Sequence, residues 1–280
     1  MLRALLALLL LASAAAAAEL KLATWNLDWL TTRPAGDPEL PRDLHRRAPE
    51  DIARLRAYAE RLAADVIALQ EVDGPEAAAL VLDPARWRFF FPGERDVQRA
   101  GIAVRRDLPA TQNDDLAALD LRPGARFSLR RGVDVTVGEG ASRLRLLSLH
   151  LNAGCREPDD AGRQCESTLR QAEILAGWIE ARRAAGEAFA LAGDFNRRFD
   201  RDPVILPLLE RAAPLTRATA GRSNPCWGGR PFIDHVLLGG PARGWMVEGS
   251  LRVLVYAERE PEWRHRLSDH CPVSIVLNPP

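Results

Sequence analysis

The residues that could do chemistry are oxygen-bearing side chains at the ends of apolar stretches. In "LAGDFN", Asp194 and Asn196 follow the apolar run that ends at Gly193. Alternate residues of an extended chain point to the same side, so this carboxylate and this carboxamide could face one ligand. The same residue types are common in turns, where they bond to the local backbone. Both interpretations stay open on this stretch alone.

Polar residues of the same kind lie at or beside the ends of other apolar stretches. They are Asn26 in "TWNLD", Glu71 in "ALQEV", His150 in "SLHLN", Asp234 in "FIDHVLL", and Asp269 and His270 in "LSDHCPV". Each has an ordinary explanation as a turn, a cap or a buried polar residue. Together, carboxylates, carboxamides and imidazoles without clustered cysteines suit one or two hard cations such as Mg²⁺, Mn²⁺ or Ca²⁺. Histidines beside such an ion can transfer a proton and stabilise a phosphoryl transition state.

Apolar periodicity predicts the elements that position these residues. Strands are predicted at 21–27, 65–71, 101–106, 143–151, 188–196, 232–238, 250–256 and 272–277, and helices at 49–64 and 167–186. Strands alternate with helices in some places and run consecutively in others, which fits a layered α/β sandwich. The polar residues fall where loops at strand ends present functional groups on a rigid scaffold.

The order of these motifs resembles the endonuclease/exonuclease/phosphatase superfamily, which shares the deoxyribonuclease I fold. The motifs extend from about residue 21 to residue 278, and "GDFN" with a late "SDH" is the most specific combination. The resemblance implies a four-layered α/β sandwich of two packed mixed β-sheets flanked by helices. The section from "HLNAGC" to "GDFNRR" further resembles an exported bacterial branch with a loop disulfide after the histidine.

The resemblance also implies a metal side of the site. Glu71 would be the principal metal ligand, and Asn26 would lie close to the metal or the phosphate. Asp28 matches a "WN-x-D" pattern of apurinic endonucleases and would add a carboxylate. Asp269 would complete the metal side.

The remaining motif residues are assigned by resemblance to the catalytic side. Asp194 would orient or deprotonate the attacking water, and Asn196 would hold a phosphate oxygen or the transition state. His270 would contact the scissile phosphate, with Asp234 as its carboxylate partner. His150 would lie across the phosphate as the second imidazole.

Several positions depart from the family pattern or lie outside it. Deoxyribonuclease I pairs its equivalent of His150 with a glutamate, and the alignment places Gln98 near that position. A carboxamide can orient an imidazole but stabilises its charge less well. Asn152 stands where related exported sequences often carry lysine. We expect Asn152, His235 and Trp227 on the substrate side, with a structural role as the alternative for His235 and Trp227.

The amino-terminal residues predict export. Arg3, an apolar core over 5–11 and small residues up to Ala18 form the pattern of a signal peptide over residues 1–18. The apolar core is shorter than the roughly 20 residues that a bilayer span needs. We therefore expect an exported protein, periplasmic or secreted, with no membrane span and with one domain over residues 19–280.

The four cysteines favour two disulfides. An even count behind a signal peptide is typical of a disulfide framework. Cys155 and Cys165 bracket a polar loop, so the favoured pairing of the three that are possible is Cys155–Cys165 with Cys226–Cys271. A zinc site is the alternative, although no Cys-x-x-Cys pair exists.

Charge and composition bound the substrate only loosely. The 38 basic and 38 acidic residues balance, so the total charge gives no sign of non-specific binding to long nucleic acid. Lys21 is the only lysine, and this chain-wide preference lowers the weight of any single arginine as a phosphate ligand. The favoured function is a monomeric, metal-dependent nuclease acting on phosphodiester bonds. The alternatives are a sphingomyelinase-like or small-phosphoester hydrolase, and a non-catalytic binding protein.

Overall fold

The structure is a computed structural model that describes residues 19–155 and 162–280. The predicted signal peptide, residues 1–18, lies outside the described residues. The strands are β1 (Leu20–Leu30), β2 (Val66–Val72), β3 (Trp87–Phe90), β4 (Arg99–Arg105), β5 (Ala110–Gln112), β6 (Val133–Val137), β7 (Leu144–His150), β8 (Phe189–Asp194), β9 (Leu215–Arg217), β10 (Asp234–Gly239), β11 (Arg252–Val253) and β12 (Val273–Leu277). The helices are α1 (Pro49–Leu62), α2 (Pro75–Ala78), α3 (Arg163–Ala184), α4 (Ile205–Ala212) and α5 (Trp263–Arg266).

The strands form two mixed sheets of six strands. The first sheet has the order β11-β12-β1-β2-β4-β3, and the second has the order β5-β6-β7-β8-β10-β9. The central pairs β1–β2 and β7–β8 are parallel, whereas the other pairs are antiparallel. Each sheet therefore carries one parallel pair at its centre.

Alternation along the strands produces four layers. On β2, Val66 belongs to the core between the two sheets, while its neighbour Ile67 packs with Leu55 of α1 on the outer face. On the second sheet, Leu147 and Leu175 of α3 belong to the opposite outer cluster. The predicted four-layered sandwich of two packed mixed sheets flanked by helices is confirmed.

The registers bring the predicted site to one edge of the sandwich. Asn26 pairs with Gln70, so the carboxyl ends of β1 and β2 lie side by side. In the second sheet, Asp194 at the end of β8 pairs with His150 and, on its other side, with Asp234 at the start of β10. The fold thus places strand ends from both sheets around one cleft.

Most predicted elements exist, and the differences have physical causes. The strand predicted at 250–256 is reduced to Arg252–Val253 because the chain leaves the sheet. Tyr256 instead lies edge-on to Tyr58, with ring centroids 4.8 Å apart, and its hydroxyl accepts a 2.9 Å hydrogen bond from Trp25. Helix α4 was not predicted because it contains Pro207, which is tolerated in a first helical turn, where the backbone N–H has no intrahelical partner.

All four cysteines are paired in disulfides. Cys155 is bonded to Cys165, and Cys226 is bonded to Cys271, which are the pairs that the sequence favoured. No cysteine is free to hold zinc. Within the described part of the chain, no helix is both long and apolar enough to cross a bilayer.

Candidate active site

Asn26 links the two sheets at the cleft. Its side-chain nitrogen donates hydrogen bonds to Oε1 of Glu71, at 3.1 Å, and to Oδ2 of Asp194, at 3.2 Å. Its side-chain oxygen accepts the backbone N–H of Asp28 at 2.9 Å. Asn26 is fully buried, so these bonds are shielded from water. In this structure Asn26 orients the two carboxylates, one from each sheet.

The backbone is strained at three motif residues of the cleft. Asp28, Glu71 and Asn196 have φ values of 44°, 57° and 51°, which are in the left-handed region. For residues other than glycine this conformation costs about 1–2 kcal/mol. Such strain is typical of functional sites, where it redirects a side chain. Here Asp28 and Glu71 lie where the pairing of β1 and β2 is irregular, and Asn196 lies in the turn after β8.

His270 forms a charged pair with Asp234. Its Nδ1 donates to Oδ2 of Asp234 at 2.8 Å, and its Nε2 lies 3.8 Å from Oδ2 of Asp194 and 3.7 Å from Oδ1 of Asp269. Burial alone would lower the pKa of His270, but the Asp234, Asp194 and Asp269 carboxylates outweigh it and raise the pKa well above its ordinary value. The ring is therefore protonated at neutral pH and presents Nε2–H to the cleft.

Asp194 is a base suited to neutral pH. It is 1% exposed, and burial raises its pKa to about 7, although the nearby His270 and the backbone N–H of Asn196 act in the opposite direction. That N–H donates to Oδ1 of Asp194 at 2.8 Å. The Asn196 side chain donates to the carbonyl oxygen of Leu151 at 3.0 Å and holds the turn after β8.

His150 lies on the other side of Asp194 and is not paired with Gln98. Its Nε2 is 3.6 Å from Oδ2 of Asp194 and 3.8 Å from Oε1 of Glu71, and its Nδ1 is buried without a hydrogen-bond partner among the described residues. Burial, together with Arg130, lowers the pKa of His150 well below its ordinary value, so the ring is neutral. Gln98 instead donates to Oε2 of Glu71 at 2.5 Å.

Asp28 interacts electrostatically with the carboxylates of Asp269 and Glu71. Burial and the neighbouring Asp269 and Glu71 carboxylates raise the pKa of Asp28 to about 7. A cation among them would relieve this repulsion, and oxygen donors are the ligands that Mg²⁺ and Mn²⁺ prefer.

Asp194, Asp234 and His270 also offer ligand atoms within 4.8 Å of one another. In this second group His270 carries a proton on each ring nitrogen and bonds to Asp234.

Two residues expected on the substrate side are held elsewhere. The Asn152 side chain donates to the backbone and side-chain oxygens of Gln164, at 2.9 and 2.8 Å, and so fastens the segment after His150 to α3. His235 is 1% exposed and stacks on Phe199 with ring centroids 4.4 Å apart. The structure thus gives Nδ2 of Asn152 two bonds to Gln164, and it gives His235 the contacts of the structural role that the sequence left open as an alternative.

Trp227 does lie at the cleft, as part of a wall. It lines a cavity of about 290 Å³ together with Asp234, Asp269 and His270. Its ring nitrogen donates to the backbone oxygen of Ser268 at 3.0 Å. Trp227 therefore shapes the cavity and fixes the segment that precedes His270.

Two arginines support the site without having been predicted. Arg47 donates to the backbone oxygens of Leu27, Asp28 and Leu267, and so joins the end of β1 to the segment before His270. Arg130 is 7% exposed, has a φ of 59° and donates to the backbone oxygen of Leu151 at 3.2 Å. Because arginine is abundant along the whole chain, its presence at these two positions did not indicate a role in the site.

The comparison with protein families decides the class. A family model described as "Endonuclease/Exonuclease/phosphatase family" matches residues 23–270. The chain belongs to this family. Its members are hydrolases that act on phosphoesters and use divalent metal ions, and the cleft described above contains acidic and histidine ligands of that kind.

Solved structures agree on the fold. TDP2 from C. elegans matches with a TM-score of 0.62 and 17% identity, covering 93% of this chain and 75% of that chain. D. rerio TDP2 complexed with a single-strand DNA product matches with a TM-score of 0.59 and 17% identity, covering 93% of this chain and 99% of that chain. The human Nocturnin catalytic domain with bound sulfate matches with a TM-score of 0.55 and 13% identity, covering 92% of this chain and 93% of that chain. A search of curated protein sequences gives no significant match.

Proposed function

We propose that this endonuclease/exonuclease/phosphatase family member hydrolyses phosphodiester bonds in nucleic acids by metal-assisted attack of water. The observation that carries the proposal is the position of Asp194 between two imidazoles. Its Oδ2 lies 3.6 Å from Nε2 of His150 and 3.8 Å from Nε2 of His270. In this arrangement the carboxylate can accept a proton from a water molecule while the two imidazole rings donate hydrogen bonds to a phosphate.

The residues divide the reaction between them. Asp194 accepts a proton from water as the water oxygen bonds to phosphorus, and the opposite P–O ester bond breaks with its electron pair leaving on oxygen. Protonated His270 donates Nε2–H to a phosphate oxygen, and Asp234 holds the ring in that orientation. Neutral His150 is a second hydrogen-bond donor at the phosphate.

The metal side is held by Glu71, Asp28 and Asp269, with Asn26 and Gln98 orienting the Glu71 carboxylate. When bound there, a divalent cation supplies charge neutralisation of the phosphate and stabilisation of the leaving oxygen. Mg²⁺ or Mn²⁺ suits these oxygen donors, as one ion or two.

Support for the substrate and the compartment is indirect. One structural neighbour holds a single-strand DNA product. Two disulfides are typical of proteins that fold in an oxidising compartment, in agreement with an exported domain over residues 19–280 behind a signal peptide. We propose that the mature protein is a periplasmic or secreted nuclease that acts as a monomer.

The test is hydrolysis of bis(p-nitrophenyl) phosphate with added Mg²⁺ or Mn²⁺, followed by EDTA. We expect metal-dependent hydrolysis by the wild type and a loss of about 10³-fold or more in Asp194→Ala, because general base catalysis and positioning disappear together. Asp114→Ala, at an exposed aspartate, is the matched control. Equal rates in Asp194→Ala and wild type would contradict the proposal. A panel of plasmid DNA, RNA, sphingomyelin and sugar phosphates then identifies the substrate.

A further inference from the structure

A cavity next to His270 has walls formed mainly by two segments of the chain, and Arg198, which follows β8, also lines it. One wall is formed by residues 224–231, and the other by α5 and the residues that follow it. The cavity has a volume of about 290 Å³ and opens onto Asp234, Asp269 and His270. A group bound in it would lie next to the proposed catalytic site.

Covalent and hydrogen bonds fix the two walls relative to each other. The Cys226–Cys271 disulfide links them one residue away from His270, and both cysteines are buried. The Trp227 ring nitrogen bonds to Ser268 across the same junction. The cavity is therefore a built feature of the cleft rather than a gap between free loops.

Three arginines line this cavity without a carboxylate partner. Arg198, Arg230 and Arg264 have no acidic oxygen within 4.0 Å in the described part of the chain. By contrast, Arg197 forms a buried ion pair with Asp202 at 2.6 Å. The Nε of Arg264 is buried without an acceptor. Arg264 also donates from Nη2 to the backbone oxygen of Trp227 at 3.3 Å. None of the three charges is neutralised by a carboxylate, and three such guanidinium groups at one cavity point to an anionic ligand.

The aromatic wall does not offer a free stacking surface. The Trp227 ring lies 5.5 Å from the Tyr256 ring, and the guanidinium carbon of Arg264 lies 5.5 Å from its centroid. Its ring nitrogen is also occupied. Recognition in this cavity is therefore electrostatic, directed at a charged group rather than at a base.

We propose that this cavity binds a second phosphate of the substrate, the one next to the scissile phosphate in a nucleic acid strand, through Arg198, Arg230 and Arg264. This inference rests on the proposed phosphodiesterase function and specifies its substrate class. A substrate with a single phosphate leaves the cavity empty, whereas an oligonucleotide engages it. The arginines thus select for strands over small phosphodiesters.

The experiment compares two substrates across arginine variants. The substrates are bis(p-nitrophenyl) phosphate, with one phosphate, and a twelve-residue oligothymidylate. The variants are Arg198→Ala, Arg230→Ala, their double, the charge-conserving Arg230→Lys, and Arg243→Ala as the matched control. Arg243 is exposed, unpaired among the described residues, and follows the opposite end of β10.

We expect the double variant to lower kcat/KM for the oligonucleotide, relative to that for bis(p-nitrophenyl) phosphate, by about thirtyfold, mostly through KM. Its salt dependence should weaken by about 0.7 in log-log slope for each lost phosphate contact. Arg230→Lys should recover part of the loss, and Arg243→Ala should match wild type on both substrates.

Three outcomes separate the two proposals. A double variant with an unchanged substrate ratio would overturn the second-phosphate site. Wild-type hydrolysis of bis(p-nitrophenyl) phosphate without cleavage of the oligonucleotide would overturn it too, while leaving the phosphodiesterase intact. Failure of the wild type on both substrates, with Mg²⁺ or Mn²⁺, would overturn the proposed function itself.

Discussion

His270 and His235 lie on either side of strand β10 and have opposite chemistry. His270 faces the cleft, where Asp234 accepts its Nδ1–H and the surrounding carboxylates raise its pKa. His235 faces the outer layer of the second sheet, where burial lowers its pKa to about 4. Its Nε2 donates to the backbone oxygen of Arg197 at 2.9 Å, which leaves Nδ1 to accept the hydroxyl of Thr219 at 2.6 Å. The imidazole of His270 is therefore protonated at the cleft, whereas that of His235 is neutral and packs inside the protein.

The difference arises from one step along the chain. Asp234 and His235 are adjacent, so strand alternation sends the carboxylate to the cleft and the imidazole to the opposite face. On that face His235 packs among Phe195, Phe199 and Phe232. A chemically capable residue beside a motif is therefore functional only if it falls on the face that the cleft occupies.

Replacing each histidine should give the largest contrast. We expect His270→Asn to lower kcat/KM on bis(p-nitrophenyl) phosphate by about 10³-fold or more, because a charged donor to the phosphate is lost. His235→Asn should keep kcat/KM within about tenfold and instead lower the melting temperature, because it removes a buried, doubly hydrogen-bonded ring. Circular dichroism checks the fold of both. Comparable activity losses in both folded variants would contradict the assignment of a catalytic role to His270 and a structural role to His235.

The pH dependence of stability should identify His235. Its folded pKa of about 4 lies below the unfolded value of about 6.5, so the unfolded state binds the proton first as the pH falls. Stability present above pH 6.5 is then lost toward pH 4, by about 3 kcal/mol at 1.36 kcal/mol for each pH unit. Urea unfolding at pH 7, 5.5 and 4 measures this. His235→Asn should flatten the curve by that amount, and an unchanged slope would contradict the assignment.

Asp234→Asn tests the cleft side of the comparison. The amide keeps the shape but removes the charge that favours the His270 imidazolium, so we expect kcat/KM to fall by about 100-fold, or about 2.7 kcal/mol. Because the pKa of His270 also falls, activity should be lost at a lower pH as the solution becomes more alkaline. A pH–rate profile measures the shift. A lower rate with an unmoved alkaline limb would mean that Asp234 acts only in positioning.

The sequence predicts the fold well because its central strands are long, apolar and end in turns. Shorter elements were missed for specific reasons. Strand β6 is not among the predicted strands, although Val133, Val135 and Val137 alternate with polar residues in the period-two pattern of a half-buried strand. Strand β11 is short because its pairing with β12 stops at Pro272: the Leu254 N–H bonds to the Pro272 backbone oxygen, but proline has no N–H to return the bond. Tertiary contacts of this kind leave no local pattern.

The sequence predicted which motif residues meet at the cleft, but not which hydrogen bonds they form with one another. The motif residues Asn26, Glu71 and Asp194 meet as expected, yet nothing local reveals that the Asn26 amide bridges the two carboxylates across sheets. Asn152 and His235 make their side-chain contacts inside the protein, and proximity to a motif does not determine the face on which a side chain lies. Register and packing decide this, and they depend on residues distant in the chain.

The smallest effect should come from the partner of His235 rather than from the histidine. Thr219→Val keeps the shape of the side chain and removes the hydroxyl that donates to Nδ1. We expect a loss of about 1–2 kcal/mol in unfolding free energy at pH 7, since a buried acceptor is left without a donor. Activity should remain at the wild-type level, because the Thr219 hydroxyl bonds to His235 on the face opposite Asp234. Urea unfolding and initial rates give the two values, and Thr216→Val on the neighbouring strand is the matched control. A variant that kept its stability but lost activity would contradict this assignment and would mean that the surroundings of His235 contribute to catalysis.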